Sequence, residues 1–161
     1  MTMIRTLILL RHAKSAWPPE TPDALRPLAE RGRRDAPAVG QWLRANIDTI
    51  DLVVCSPAVR AAQTWELAAA QLATTPSFRD EERIYAASAA ELLAVVRELP
   101  ERASTAALVG HNPGLEDLLA LLTGAEEPLK TSAIAVITTP VGWESARPDS
   151  WTLEMVATPR G

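Results

Sequence analysis

A three-layer α/β domain with a mostly parallel central sheet is the fold the sequence predicts, and two observations carry it. Apolar runs of strand length stand at 4–10, 51–55 and 105–110, and a segment with helical spacing follows each. Parallel strands need crossover connections, so strands alternating with helices pack as a sheet between two helical layers. The tail departs from this alternation. There "SAIAVITT" (132–139) and "SWTLEMVAT" (150–158) are strand-like stretches joined by a Pro/Gly-rich segment, expected to pair antiparallel. No repeat or linker interrupts the chain, and 161 residues read as one compact domain, 1–161.

Each element follows from its local pattern. Ile4 to Leu10 is uniformly apolar and bounded by charge, which suits a strand buried on both faces. "LAERGRRDAPAVGQWLRANI" places Val39, Trp42, Leu43 and Ile47 at helical spacing, and Pro37 predicts that the regular helix opens there. "DLVVC" (51–55) is a second buried strand. Ser56-Pro57 then carries a start signal for a helix to Leu72: a capping hydroxyl followed by proline. "TTPSFRDEERIYA" holds a short strand, and "SAAELLAVVREL" forms an amphipathic helix from Ser88 to Leu99 with Glu91 completing a capping box. "TAALVG" (105–110) ends abruptly at "HNPG", which hands over to a helix from Leu115 to Leu122.

Composition narrows the function. With 47% hydrophobic and 22% charged residues the chain is an ordinary globular protein, and a net charge of −4 argues against nucleic acid as the partner. Cys55 is the single cysteine, which excludes an intramolecular disulfide and a cysteine-rich metal site. The run Leu7 to Leu10 is too short for a signal-peptide core, and no stretch approaches a membrane span, so a cytoplasmic protein without membrane association is expected.

Parallel sheets bind ligands at the carboxyl ends of their strands, and chemistry-bearing residues cluster there. Arg11-His12, Ser56 to Arg60 and His111-Asn112 each lie just past a strand and can meet in one crevice. Two guanidinium forks match the oxygens of a phosphoryl group. A neutral histidine beside them can attack phosphorus, and their charge keeps it neutral. The bland alternatives are a turn role for His111 and an Arg60–Glu66 pair along the helix. The five tryptophans read mainly as packing, except that Trp17 can line the pocket mouth. A metal held by His12 and His111 is disfavoured, since the arginines repel a cation.

"RHA" after the first strand, "SPAVRAAQT" (56–64) after the second and "GHNP" (110–113) after the third resemble the histidine phosphatase superfamily, with its phosphoglycerate mutase-like fold. The short chain, "RPLAERG" (26–32) and "TSAIA" (131–135) resemble its SixA-type phosphohistidine phosphatases. The resemblance implies that His12 accepts the phosphoryl group, Arg11 and Arg60 clamp it, and His111 donates a hydrogen bond to it. No cofactor and no metal are implied. Arg26, Asn112 and Ser15 are further substrate-binding candidates. Many relatives supply a carboxylic acid from the segment holding Asp80, Glu81 and Glu82; Glu81 and Glu82 are the candidates, a solvated charge run the alternative. Phosphohistidine has a weak P–N bond and manages with less acid catalysis. The expectation is a metal-independent hydrolase that removes phosphate from protein phosphohistidine through a phosphoryl-His12 intermediate. The alternatives are a phosphatase of small phosphoesters and a non-catalytic phosphate-binding module. The expected partner is a phosphorylated protein or small molecule; the sequence leaves the oligomeric state open, with a monomer plausible.

Overall fold

The computed structural model describes residues 3–161. Its strands are β1 (Arg5–Arg11), β2 (Leu52–Cys55), β3 (Ser77–Asp80), β4 (Thr105–Gly110), β5 (Ile134–Thr139) and β6 (Thr152–Ala157). The helices are α1 (Glu30–Asn46), α2 (Val59–Ala69), α3 (Ala89–Arg97) and α4 (Gly114–Thr123), with 3-10 turns at Asp23–Leu25, Glu82–Ile84 and Trp143–Ser145. The sheet order is β3-β2-β4-β1-β5-β6. The first four strands in that order run parallel, and β5 and β6 add an antiparallel pair at one edge, as the tail predicts.

The apolar runs are uniform because both sheet faces are covered. Leu7, Leu9, Val54 and Leu108 pack with Leu92, Val96, Leu115 and Leu119 of α3 and α4. Ile8, Leu10, Val53 and Val109 face the other way, onto Val39 and Leu43 of α1 and Ala61 and Trp65 of α2. Burying these side chains contributes about 25 cal/mol per Å² of apolar surface, which is what drives the three layers together.

Two helix starts differ from the sequence expectation. Pro37 lies inside α1 rather than opening it: the helix begins at Glu30, two turns earlier. Its polar first turns are held by contacts that periodicity does not register. Asp35 is buried and accepts from the Arg160 guanidinium (3.1 Å) and the Gly161 amide (3.0 Å). Ser56 does not cap α2 at the expected place. Ala58 occupies the N-cap, and the Ser56 hydroxyl accepts from the Ala58 amide (3.3 Å) while also contacting His111 Nε2. The Ser88–Glu91 capping box of α3 is present.

Gly32 explains one motif of the sequence. A Cβ there would stand 2.1 Å from the Lys14 carbonyl oxygen, which also accepts from the Ala29 amide at 2.9 Å. The start of α1 thus presses directly on the loop after β1. Gly32→Ala is expected to destabilise the fold by about 3 kcal/mol through this overlap, measured as a lower denaturation midpoint in urea. Among the described residues, no helix is long and apolar enough to cross a membrane.

Candidate active site

The sheet topology assembles the site. Arg11, the last residue of β1, pairs with Gly110, the last of β4, and Cys55 at the end of β2 pairs with Val109. The residues that follow therefore emerge side by side. The His12 amide donates to the Gly110 carbonyl (3.1 Å), and the His12 and His111 rings lie 5.2 Å apart between centroids.

The His12 ring is held in one orientation. Its Nδ1 lies 2.7 Å from the Ala13 carbonyl, which can only accept, so Nδ1 carries the proton and Nε2 keeps its lone pair. Thr64 braces this loop, accepting from the Ala13 amide (2.9 Å) and donating to the Arg60 carbonyl (2.7 Å). The buried Ser132 holds it from the opposite side, donating its amide to the His12 carbonyl at 3.1 Å. This places "TSAIA" against "RHA".

Arg60 turns away from Glu66 and is gripped by Asp23: Nη1 donates to the Asp23 carbonyl (2.7 Å) and Nη2 to its carboxylate (3.0 Å). The same carboxylate accepts from Arg26 Nε (3.0 Å) and from the Tyr85 hydroxyl (2.5 Å). Arg26 also reaches the Ser15 hydroxyl (2.9 Å) and the Ala16 carbonyl (3.1 Å). Arg11 donates from Nη1 to the Leu129 carbonyl (2.9 Å). Asn112 donates to that same carbonyl (2.7 Å) and to Glu116 (3.0 Å), so both its amide hydrogens are engaged within the protein. Ser56 contacts His111 Nε2 at 2.7 Å, and Tyr85 meets the His111 ring edge-on at 5.7 Å.

Three nitrogens of this set are buried without a partner: Arg11 Nε, Arg60 Nε and His111 Nδ1. Buried donors are nearly always paired, and three orphans gathered around one pair of histidines mark a candidate binding site, while Arg5 and Trp151 also carry unpartnered nitrogens outside it. Arginine has no acceptor atom, and the ligand these groups suit is an anion rich in oxygen.

Glu81 and Glu82 stand apart from this arrangement. Glu81 accepts from the Arg83 guanidinium at 2.8 Å, and Arg83 also binds Glu98, while Glu82 is exposed. Neither is hydrogen-bonded to Arg11, His12, Arg60 or His111. The segment contributes Tyr85 instead. Asp23 and Tyr85 are the members that sequence reasoning missed; the acid–base spacing of Asp23 and Arg26, three residues apart, was the one signal available. Among the described residues, no group of three or more His, Cys, Asp or Glu side chains is placed to hold a metal.

Electrostatics keep both histidines neutral. Burial, reinforced by His111, Arg60 and Arg11, pushes His12 down to about 3, against the opposing Ala13 carbonyl. Burial and Arg60 push His111 down to about 4, although Asp23 opposes this. Asp23 itself is held well below the usual carboxylate range by the Tyr85 hydroxyl, with Arg60 and Arg26 adding to it, so it is an anion at neutral pH. Nitrogen-15 NMR is expected to show neither ring titrating between pH 8 and pH 5. The unfolded chain binds these protons near the ordinary histidine value of about 6.5, whereas the folded chain binds them only near 3 to 4. The unfolded state therefore carries more protons in that window, and stability should fall as pH drops below about 6.5. Chemical denaturation across that range measures it.

Comparison with known proteins agrees with this geometry. Residues 7–84 match the model of the histidine phosphatase superfamily (branch 1). An uncharacterised protein of Mycobacterium tuberculosis is 36% identical over 150 residues, covering 86% of this chain and 92% of that protein. A structure assigned as the phosphohistidine phosphatase SixA of Nakamurella multipartitia is 31% identical, with a TM-score of 0.87, 97% of this chain covered and 96% of the other. The protein histidine phosphatase SixA, solved with tungstate, superposes with a TM-score of 0.83 at 26% identity, covering 96% and 97% of the two chains. Fold and site together define an α/β enzyme that handles phosphoryl groups. The chain belongs to the histidine phosphatase superfamily, SixA structures are among those it resembles at high TM-score, and it is a phosphatase.

Proposed function

We propose that the protein hydrolyses phosphohistidine on other proteins, with His12 as nucleophile and no metal. The observation that carries this is the trio of unpartnered nitrogens on Arg11, Arg60 and His111 around a neutral, oriented His12. The tungstate held by the SixA relative is a tetrahedral oxyanion of the kind these nitrogens would bind. In the first step the His12 Nε2–phosphorus bond forms as the substrate P–N bond breaks, and the departing imidazole nitrogen takes a proton from water. In the second, water attacks phosphorus and gives its proton to the hydroxide left by the first step, the His12–phosphorus bond breaks, and inorganic phosphate leaves with the neutral imidazole restored. Arg11, Arg60 and His111 stabilise charge on the equatorial oxygens in both steps.

The choice of phosphohistidine rests on proton supply. The carboxylate nearest the clamp, Asp23, is ionised, and Glu81 is tied to Arg83, so a leaving alkoxide finds no ready acid here. An imidazole leaving group has less need of one. Phosphate release from a phosphohistidine peptide and from matched phosphoserine and phosphotyrosine peptides, in the presence of chelator, tests the reading. Selective turnover of phosphohistidine supports it. Equal turnover of the esters overturns the substrate class and keeps the nucleophile, and a complete lack of release leaves a phosphate-binding module.

A further inference from the structure

Trp17 leaves 75% of its surface in solvent, more than any other exposed large apolar side chain among the described residues. It is nevertheless not a loose ring. The Arg26 guanidinium carbon stands 3.5 Å from the indole centroid. That guanidinium is itself buried and fixed by Asp23, Ser15 and the Ala16 carbonyl. One face of the indole is thus occupied and the ring plane set, while much of the remainder is open.

This platform is mechanically part of the phosphate site. Asp23, which holds Arg26, also holds Arg60, and the Arg26 charge is one of those that depress His111. A cation on one face draws electron density from the indole, so the free face suits a neutral aromatic ring better than a second cation. The departing side chain of phosphohistidine is such a ring. A phosphoserine leaving group offers no flat surface to lie on.

We infer that Trp17 is a specificity-determining residue that stacks the imidazole of phosphohistidine while the clamp holds the phosphoryl group, a role that rests on the function proposed above. It acts in substrate binding, through Michaelis constants more than turnover numbers. The test compares phosphohistidine with phosphoramidate, which has the same P–N bond and no ring, in wild type, Trp17→Ala and Trp17→Phe. In Trp17→Ala the ratio of kcat/KM for phosphohistidine to that for phosphoramidate should fall roughly five- to ten-fold, mostly through KM, the size expected of one aromatic stack. Trp17→Phe, which keeps a ring, should restore most of it. An unaltered ratio in Trp17→Ala, whether both substrates suffer equally through a disturbed Arg26 or neither suffers, overturns the inference. Failure of the underlying function looks different: wild-type enzyme then turns over neither P–N compound, and the stacking role falls with it.

Discussion

Replacing His12 by alanine is expected to lower turnover by about 10⁴-fold or more, the scale seen when a covalent nucleophile is removed. The expectation follows from how singular that side chain is. Only two histidines exist in the chain, and the second, His111, has its Nε2 engaged with Ser56. His12 alone combines a lone pair on Nε2 with a ring fixed from behind by a carbonyl. The variant keeps Arg11, Arg60 and His111, so it should still bind phosphate. Rapid quenching of wild-type enzyme with a radiolabelled P–N substrate should trap acid-labile label on the protein, and His12→Ala should trap none. Label that persists in the variant would place the nucleophile elsewhere.

Arg60→Lys should be nearly as severe, with kcat lower by about 10²- to 10³-fold, comparable to losing a transition-state donor. Arg60 spends both terminal nitrogens on Asp23 and keeps Nε buried without a partner, the donor that the proposed function assigns to the phosphoryl group. A lysine has one nitrogen on a flexible stem. It can neutralise Asp23 or meet the phosphoryl oxygens, but it cannot reproduce the fixed fork that does both. Steady-state kinetics read the loss, and circular dichroism should show the fold retained. A variant of wild-type activity would mean that the buried Arg60 serves only to hold Asp23.

The parts of this site that sequence reveals are those placed by strand ends. Arg11, His12, Arg60 and His111 sit at fixed offsets from apolar runs, and a parallel sheet brings such positions together whatever the connecting segments do. Asp23 escaped because it lies in a proline-rich connection, "PPETPDALRPL", where no periodicity says which side chain turns inward. Tyr85 lies beyond a charge run whose acidic residues are the conspicuous candidates, yet it is the aromatic residue that enters the site. The start of α1 was hidden for a related reason. Its first turns are anchored by Asp35 to Arg160 and Gly161, more than 120 residues away in sequence, and local patterning carries no trace of such a contact. Ser56 serves two neighbours at once: its hydroxyl accepts from the Ala58 amide just before α2 and contacts the His111 ring, and only the first of these is legible in the local sequence.

The position of β4 in the sheet bears on when this enzyme comes to life. Arg11 closes β1 and Arg60 follows β2, and both are synthesised before residues 105–110. In the finished sheet, however, β4 lies between those two strands. Without it a gap of about 10 Å, two interstrand spacings, separates the halves of the clamp, with no hydrogen bonds to set its width. The strand that fills the gap also delivers His111. A nascent chain therefore brings Arg11, Arg60 and His111 together in one late step, once β4 has taken its place in the sheet.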